Sequence, residues 1–298
     1  MHGFNKNVWL IWIALLLLGL LFGAATELNQ DKQGKAVYAF DCLTFKAAKG
    51  EKALLEVFSE IYARGFEFRQ YEHGYYANYD LSIGLFDAEG DIENRETVID
   101  SFKVDSLGSN ASLPARLIRT AFYVDPGKYE ARIRIVDLET LEVFRFKKQV
   151  PVPDYSRGQL KMSDLQLATS INMTDESEKN MFVKNGRKVV PNVKRMVTPQ
   201  MKGLYVYSEV YNLEFEPGKA NQKFATKYTI TDSQGLEVKT IKEKNKKPGN
   251  SAVLGAGIPI DGLKEGQYQL TLVVKDPADR ETTRRSVNFY VVKAESES

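Results

Sequence analysis

Apolar and polar residues alternate along much of this chain, and the alternation is clearest in two octamers. LEVFSEIY at 55–62 and LYVYSEVY at 204–211 are identical at five of their eight positions. In an extended strand every second side chain points to the same face. In both octamers Leu, Val, Ser and Ile or Val share one face, while glutamates and most of the aromatic residues share the other. β-Branched and aromatic residues favour a pleated, half-buried surface, so both octamers predict β-strands.

The similarity between the two regions continues downstream in the same order. YDLSIGLFDAEGDI (79–92) resembles YTITDSQGLEV (228–238), and PGKYEARIRIVD (126–137) resembles EGQYQLTLVVKD (265–276). The first pair reads as a strand followed by an Asp-x-x-Gly turn, because Asp caps its own backbone and Gly accepts a positive φ. Three matches in one order predict two copies of one domain.

Each copy is a series of strands separated by turn residues, with almost no helical periodicity, which is typical of a β-sandwich. We therefore predict an all-β fold of two tandem immunoglobulin-like or fibronectin-like β-sandwich domains after an N-terminal hydrophobic leader. The predicted boundaries are the leader at 1–25, domain one at 26–154, a linker at 155–159, domain two at 160–294 and a polar tail at 295–298.

Two tyrosines and two glutamates recur at matched positions, and a structural role is predicted for all four. Tyr129 and Tyr268 stand in Gly-x-Tyr at the start of a strand, where a tyrosine hydroxyl can tie a connecting loop to the backbone. Glu60 and Glu209 lie among aromatic residues, where a carboxylate is expected to bond a neighbouring hydroxyl or to meet solvent. The alternatives are a ligand contact for the tyrosines and a raised pKa for the glutamates.

The N-terminal segment has a composition of its own. Lys6 precedes an unbroken apolar run from Val8 to Ala25, and the small residues Gly23 and Ala25 precede Thr26 as at a cleavage site. These features predict a secretory signal peptide. The run is also at the lower limit for spanning a bilayer, so an uncleaved N-terminal anchor is the alternative. Both interpretations place the remaining chain outside the cytoplasm, in the periplasm or secreted.

The amino-acid composition argues against several classes of function. The formal net charge of +2 lacks the basic excess typical of nucleic-acid binding. The single cysteine, Cys42, allows no internal disulfide and is predicted to be a small buried hydrophobe. His2 and His73 are the only histidines, so a histidine-dependent triad and the usual zinc sites lack side chains. We predict no enzyme, no cofactor and no metal, and leave open a hydrolase with an unrecognised carboxylate pair.

Two groups of residues are candidates for binding. An acid-free basic segment within 181–203 is suited to an acidic partner or to anionic headgroups, with solvated, edge-protecting charge as the alternative. KTIKEKNKK at 239–247 is a second lysine-rich stretch. A tyrosine cluster is suited to stacking on sugar rings, with strand surface as the alternative. The candidate partner-binding residues are Lys184, Arg187, Lys188, Lys194 and Arg195, and the candidate glycan-binding residues are Tyr71, Tyr75 and Tyr76.

The second half of the chain carries a resemblance to a known family. SDLQLAT, FVKNG, VVPN, LYVYSEVYNL and GQYQLTLVVKD follow one another between 163 and 276. This order resembles the N-terminal half of GWxTD-domain proteins, which are bacterial and extracytoplasmic. The Gly-Trp-x-Thr-Asp motif itself is absent, because the only tryptophans are Trp9 and Trp12 in the leader. The resemblance implies sandwich-building motifs and carries over no catalytic residue.

Taken together, the sequence predicts an exported, non-enzymatic cell-envelope protein with a binding or scaffolding role. The expected partner is an envelope protein, and the alternative is a polysaccharide. Nucleic acid is not expected, and membrane contact is expected only through the leader, if the leader is uncleaved.

Overall fold

The structure is a computed structural model that describes residues 27–30, 36–48, 50–108, 113–156, 158–174, 180–198, 200–201, 203–278 and 280–293. The predicted leader at 1–25 and the predicted polar tail at 295–298 lie outside the described residues. Within those residues the chain forms twenty β-strands and one turn of 3-10 helix, so the predicted all-β fold is confirmed. No helix among the described residues is long and apolar enough to cross a membrane.

The first half of the chain supplies nine strands. They are β1 (Glu27–Gln30), β2 (Ala36–Lys46), β3 (Ala53–Tyr62), β4 (Arg69–Tyr71), β5 (Gly74–Phe86), β6 (Ile92–Val104), β7 (Ala115–Val124), β8 (Gly127–Asp137) and β9 (Val143–Val152). Sheet 1 has the order β1-β2-β3-β7. In sheet 2 the order is β6-β5-β8-β9, with β4 pairing the start of β5. All these pairs are antiparallel.

The second half supplies eleven strands. They are β10 (Lys161–Met162), β11 (Gln166–Met173), β12 (Val183–Lys184), β13 (Arg187–Pro191), β14 (Met196–Val197), β15 (Leu204–Tyr211), β16 (Lys223–Asp232), β17 (Glu237–Lys246), β18 (Ser251–Ile258), β19 (Gly266–Lys275) and β20 (Thr282–Val291). In sheet 3, β15 pairs with β18 along one side and with β10 and β11 along the other. β11 also pairs with β13, and β13 pairs with β12. Sheet 4 has the order β14-β20-β19-β16-β17, in which only β14 is parallel to its neighbour.

The two octamers occupy the same place in this strand pairing. LEVFSEIY lies in β3, between β2 and β7, and LYVYSEVY forms β15, between β11 and β18. The second sheets correspond as well, since β5 pairs with β6 and β8 as β16 pairs with β17 and β19. The connectivity of the first half therefore recurs in the second half.

Each sheet pair encloses its own apolar core, built from the octamer face that carries Leu and Val. Leu55, Val57 and Ile61 of β3 pack against β5 and β8. Leu204 and Val206 of β15 pack against β16 and β19 in the same way. Burial of these side chains is the main force that holds each sheet to its partner sheet.

The connections follow from the turn residues. Gly90 and Gly235 have φ values of 90° and 81°, and each closes a turn opened by an aspartate, as the Asp-x-x-Gly pattern predicts. The Tyr129 hydroxyl donates to the carbonyl of Asp125 at 3.0 Å, and the Tyr268 hydroxyl donates to Lys264 at 2.9 Å. Each tyrosine therefore ties the loop in front of its strand to that strand.

Candidate functional site at the junction of the two sandwiches

The second face of each octamer is buried as well, because sheet 1 packs on sheet 3. The faces that meet carry a separate apolar cluster whose members come from both halves of the chain. Phe45 and Phe58 project from sheet 1, and Val189 and Tyr207 project from sheet 3. All four side chains are at most 1% exposed. The two sandwiches are therefore joined by packed side chains as well as by the chain between them.

A buried ion pair crosses this junction. Arg195 donates to both carboxylate oxygens of Asp41 in β2, through Nη2 at 2.6 Å and Nε at 3.0 Å, and Lys148 of β9 donates to the same carboxylate at 3.1 Å. Burial raises the pKa of Asp41, but the charges of Arg195 and then Lys148 outweigh it and hold that pKa below its usual range. The Asp41 carboxylate is thus ionised, and both of its oxygens accept hydrogen bonds from cations of the same chain.

Backbone ties lie beside this pair. Two hydrogen bonds join Thr44 to Asp164: the Thr44 amide donates to the Asp164 carboxylate at 2.8 Å, and the Asp164 amide donates to the Thr44 carbonyl at 3.1 Å. The amide of Lys46 donates to the hydroxyl of Tyr211 at 2.9 Å. Tyr155, in the segment predicted as a linker, is 1% exposed and its hydroxyl lies 2.7 Å from that of Thr44. The linker segment is therefore anchored at this point.

A second charged cluster lies at the other end of the junction, around Glu56 of β3. Glu56 is fully buried, and its carboxylate accepts from Arg119 at 2.7 Å and from the Lys184 ammonium at 2.9 Å. The Lys184 ammonium also lies 3.8 Å from the ring centre of Phe45 and 4.7 Å from that of Tyr207. Burial lowers the pKa of Lys184, and Glu56 opposes that shift. Aromatic faces and one carboxylate together hold this cation in place.

The matched glutamates accept hydrogen bonds from tyrosine hydroxyls. Glu60 accepts from Tyr62. Glu209 accepts from three donors of its own sheet, namely Tyr207 at 2.6 Å, Tyr211 at 2.8 Å and Asn185 at 2.9 Å. Burial and the nearby Glu209 raise the pKa of Tyr207 and of Tyr211, so both hydroxyls stay protonated and act as donors.

A cleft of about 690 Å³ opens where these groups reach the surface. Its walls come from both sandwiches, with Tyr123 and Leu54 on one side and Pro248 and Val253 on the other. Four cations and two carboxylates line it: Lys46, Arg119, Lys184, Arg187, Glu56 and Glu209. The cleft thus carries an excess of positive charge.

The predicted basic hairpin does turn at Asn185 and Gly186, but its side chains are not a free cationic surface. Lys184 and Arg195 are corrections to the predicted binding set, because both point into the junction and pair with Glu56 and Asp41. The other three candidates are half-buried: Arg187 lines the cleft, Lys188 lies in β13 opposite Asn172, and the Lys194 ammonium lies 5.1 Å from the ring centre of Tyr62.

The candidate glycan-binding tyrosines do not share one face. Tyr71 and Tyr76 meet edge to face, with ring centres 5.5 Å apart, beside an open depression of about 450 Å³. Lys103 lies over the Tyr76 ring at 5.6 Å. Tyr75 is a correction, because neighbouring residues of a strand alternate and its side chain points to the opposite face of β5, the face of the buried Ala77.

Sequence reasoning missed the two buried acids of the junction, Asp41 and Glu56. Each stands at an apolar position of a strand whose neighbours are buried on both faces. A charged residue inside a run such as AVYAFDCLTFK was the available signal, because a buried charge requires a partner. Cys42, beside Asp41, is buried and takes part in no disulfide. Among the described residues, no group of three or more His, Cys, Asp and Glu side chains is placed to hold a metal ion.

Comparisons with known proteins add little. No family model and no curated protein matches the chain. Among solved structures, dimeric latent PorU from Porphyromonas gingivalis is similar over 85% of this chain and 20% of that chain, at 12% identity and a TM-score of 0.28. The chain therefore spans about a fifth of the length of PorU, and a likeness at this level supports no inference about function.

Replacing Arg195 should destabilise the protein strongly. In Arg195→Met the buried Asp41 keeps only Lys148, and removing one partner of a buried pair costs roughly 3–5 kcal/mol. Urea unfolding would measure the loss, and Arg145→Met, at an exposed position of β9, should change stability by less than about 0.5 kcal/mol. A loss below about 1 kcal/mol for Arg195→Met would show that Asp41 is not buried at a packed junction.

The same carboxylate predicts a pH dependence. The pKa of Asp41 is lowered on folding, so its contribution to stability is present above the unfolded value of about 3.9 and is lost as pH falls through the folded value. Asp41→Asn should therefore be less stable than the natural chain at pH 7, and the difference should shrink below about pH 4. Urea unfolding at pH 7, 5 and 3 tests this, with the exposed Asp125→Asn as the control. A difference that stays constant with pH would contradict the assignment.

Proposed function

We propose that this chain is an exported, non-enzymatic cell-envelope protein that binds a partner protein by accepting an acidic segment of that partner in the junction cleft. The observation that carries the proposal is the charge balance of the cleft, where four cations face two carboxylates. Arg119 and Lys184 pair with Glu56, which leaves Lys46 and Arg187 for a ligand. Within the described part of the chain the Arg187 guanidinium bonds only the Asn185 carbonyl, at 3.1 Å, and no ion pair engages it.

The packing of the junction supports a preformed site. Phe45 and Tyr207 fix the two walls, and Lys184 is held between them. A cleft whose walls are already packed loses little conformational freedom on binding, which favours affinity. The planar guanidinium of Arg187 can accept a carboxylate through two parallel hydrogen bonds, and that geometry suits the side chain of Asp or Glu.

The arrangement of the carboxylates supports binding over hydrolysis. Glu56 accepts from Arg119 and Lys184, and Glu209 accepts from two hydroxyls and an amide. Both oxygens of each carboxylate are thus engaged by donors of the chain itself, whereas a glycosidase needs two carboxyl groups that reach the scissile bond of a substrate. Both acids are thus suited to shaping the cleft.

The extracytoplasmic part of the proposal rests on sequence. The basic residue, apolar run and small residues of the segment before Thr26 are those of a signal peptide or an N-terminal anchor. The order of motifs in the second half, which resembles the N-terminal half of GWxTD-domain proteins, supports the same location.

The cleft can be tested by site-specific photocrosslinking in intact cells. A photoreactive residue at Tyr123, which lines the cleft and is 59% exposed, should give one recurrent protein adduct. Arg187→Glu should remove that adduct, because it replaces the cation by a negative charge that repels the acidic segment of the partner. Arg145→Glu, an equal charge change on the exposed face of β9, should leave it intact. No adduct at position 123, or one that persists in Arg187→Glu, would refute the proposal.

A polysaccharide ligand is a second candidate, favoured by the contact between the exposed Tyr71 and the half-buried Tyr76. Affinity electrophoresis in isolated envelope polysaccharide should show retardation that falls roughly fivefold to tenfold in Tyr76→Ala, since one aromatic contact is worth about 1 kcal/mol. Tyr75→Ala is the matched control, because its ring lies on the other face of β5. Equal retardation in all three proteins would exclude this candidate.

A further inference from the structure

The outer face of sheet 4 gathers cations from all of its four long strands. The face is read from the pairing register, because residues directly opposite in antiparallel strands point to the same side. Lys223 and Lys227 of β16 lie opposite Lys246 and Lys242 of β17. Lys244 of β17 and Lys275 of β19 lie opposite Ala225, and Arg284 of β20 lies opposite Val273. We call these seven cations the sheet 4 patch: Lys223, Lys227, Lys242, Lys244, Lys246, Lys275 and Arg284.

Among the described residues, six of the seven cations in the sheet 4 patch form no ion pair with an acidic side chain. Lys227 pairs with Glu237 at 3.3 Å. The other six members are all exposed. Glu243 also lies in β17, but it stands opposite Thr226 and so points to the other side of the strand. The patch is therefore a concentrated positive surface on a chain whose formal net charge is only +2.

Protection of a sheet edge accounts for only some of these cations. Lysines on an edge strand discourage other strands from pairing with it, and β17 is such an edge. Lys227 and Lys275 lie on β16 and β19, which pair with a strand on both sides, so edge protection does not account for these two. β14 pairs with β20 only at Tyr290 and Val291, so Arg284 lies at an edge as well. Like charges directly opposite each other also destabilise a sheet, as with Lys227 and Lys242. An anion that binds the patch would remove this cost.

The shape of the patch indicates which anion fits. Four strands and three rows of side chains give a surface of about 14 Å by 13 Å, from the usual spacings between strands and along them. Between the cations lies a shallow depression of about 400 Å³, lined by four lysines and one glutamate together with uncharged residues: Lys227, Lys242, Lys244, Lys275, Glu243, Ala225, Thr226 and Val273. No aromatic residue stands among the cations in these three rows, and Tyr290, which shares the face, lies six residues along β20 from Arg284. Recognition of sugar rings and bases relies on aromatic stacking. A planar array of phosphates matches a patch that is as broad as it is long.

We propose that the sheet 4 patch docks on the surface of an anionic bilayer, with the lysine ammonium groups meeting lipid phosphates. Lysines near an anionic leaflet each add to membrane affinity, and the attraction decays within a Debye length of the surface. The patch lies on sheet 4, whereas the cleft lies between sheets 1 and 3, so a bound membrane and a bound partner protein engage different surfaces. The proposal does not depend on the cleft.

Vesicle binding by the full chain tests the proposal. The probes are phosphatidylcholine vesicles with and without about one third phosphatidylglycerol, and the readout is the ratio of the two affinities, because the apolar leader interacts with both kinds of vesicle. We expect a clear preference for the anionic vesicles that disappears when NaCl rises from about 0.05 to 0.5 M. The triple variant Lys242→Gln, Lys244→Gln, Lys275→Gln should lose on the order of 100-fold of that preference.

The control has the same change in net charge elsewhere. Lys52→Gln, Lys103→Gln, Lys128→Gln removes three exposed lysines from the first sandwich and should keep the preference within about threefold. Equal loss in both triple variants would mean that binding follows net charge, and would overturn the proposal. So would equal affinity of the natural chain for the two kinds of vesicle. Binding to soluble polyphosphate or dextran sulfate without binding to anionic vesicles would reassign the patch to a polymer.

Discussion

The packing of sheet 1 on sheet 3 is the constraint on which the rest of the structure depends. A β-sandwich normally buries one face of each sheet and leaves the other in water. Here the second face of each octamer is buried too, so β3 and β15 are enclosed on both sides. Their Leu and Val residues face their own core, while Phe58 and Tyr207 meet across the junction. One strand sequence, used twice, thus serves both a core and an interface.

Burying that second face determines where the charges go. A charge taken out of water requires a partner of opposite sign, and the junction provides one for Asp41 in Arg195 and one for Glu56 in Lys184. The partner cations come from the hairpin region that looks, in sequence, like a free basic surface. On sheet 4, by contrast, five lysines of the outer face form no ion pair among the described residues: Lys223, Lys242, Lys244, Lys246 and Lys275. Contact with a carboxylate therefore distinguishes the basic residues of the junction from those on the outer face of sheet 4.

Sequence reasoning recovered what depends on local pattern. The alternation of apolar residues predicted the strands and the core faces of β3 and β15, and Asp-x-x-Gly predicted the turns at Gly90 and Gly235. It could not show that two outer faces meet, because a period of two sorts side chains into faces without saying what covers each face. The misplacement of Lys184 and Arg195 follows from that gap, since their partners lie more than a hundred residues away.

The one clear difference between the octamers shows how a repeat can build an asymmetric site. The second position of LEVFSEIY is Glu56, and the same position of LYVYSEVY is Tyr205. Two facing glutamates would place like charges at one buried surface and would need a second pair of cations. With one glutamate and one tyrosine, Lys184 and Arg119 satisfy a single carboxylate, and the tyrosine adds apolar contact. Among the described residues no ion pair engages Arg187 at the edge of the cleft, so the asymmetry between the copies makes the charges of the two cleft walls unequal.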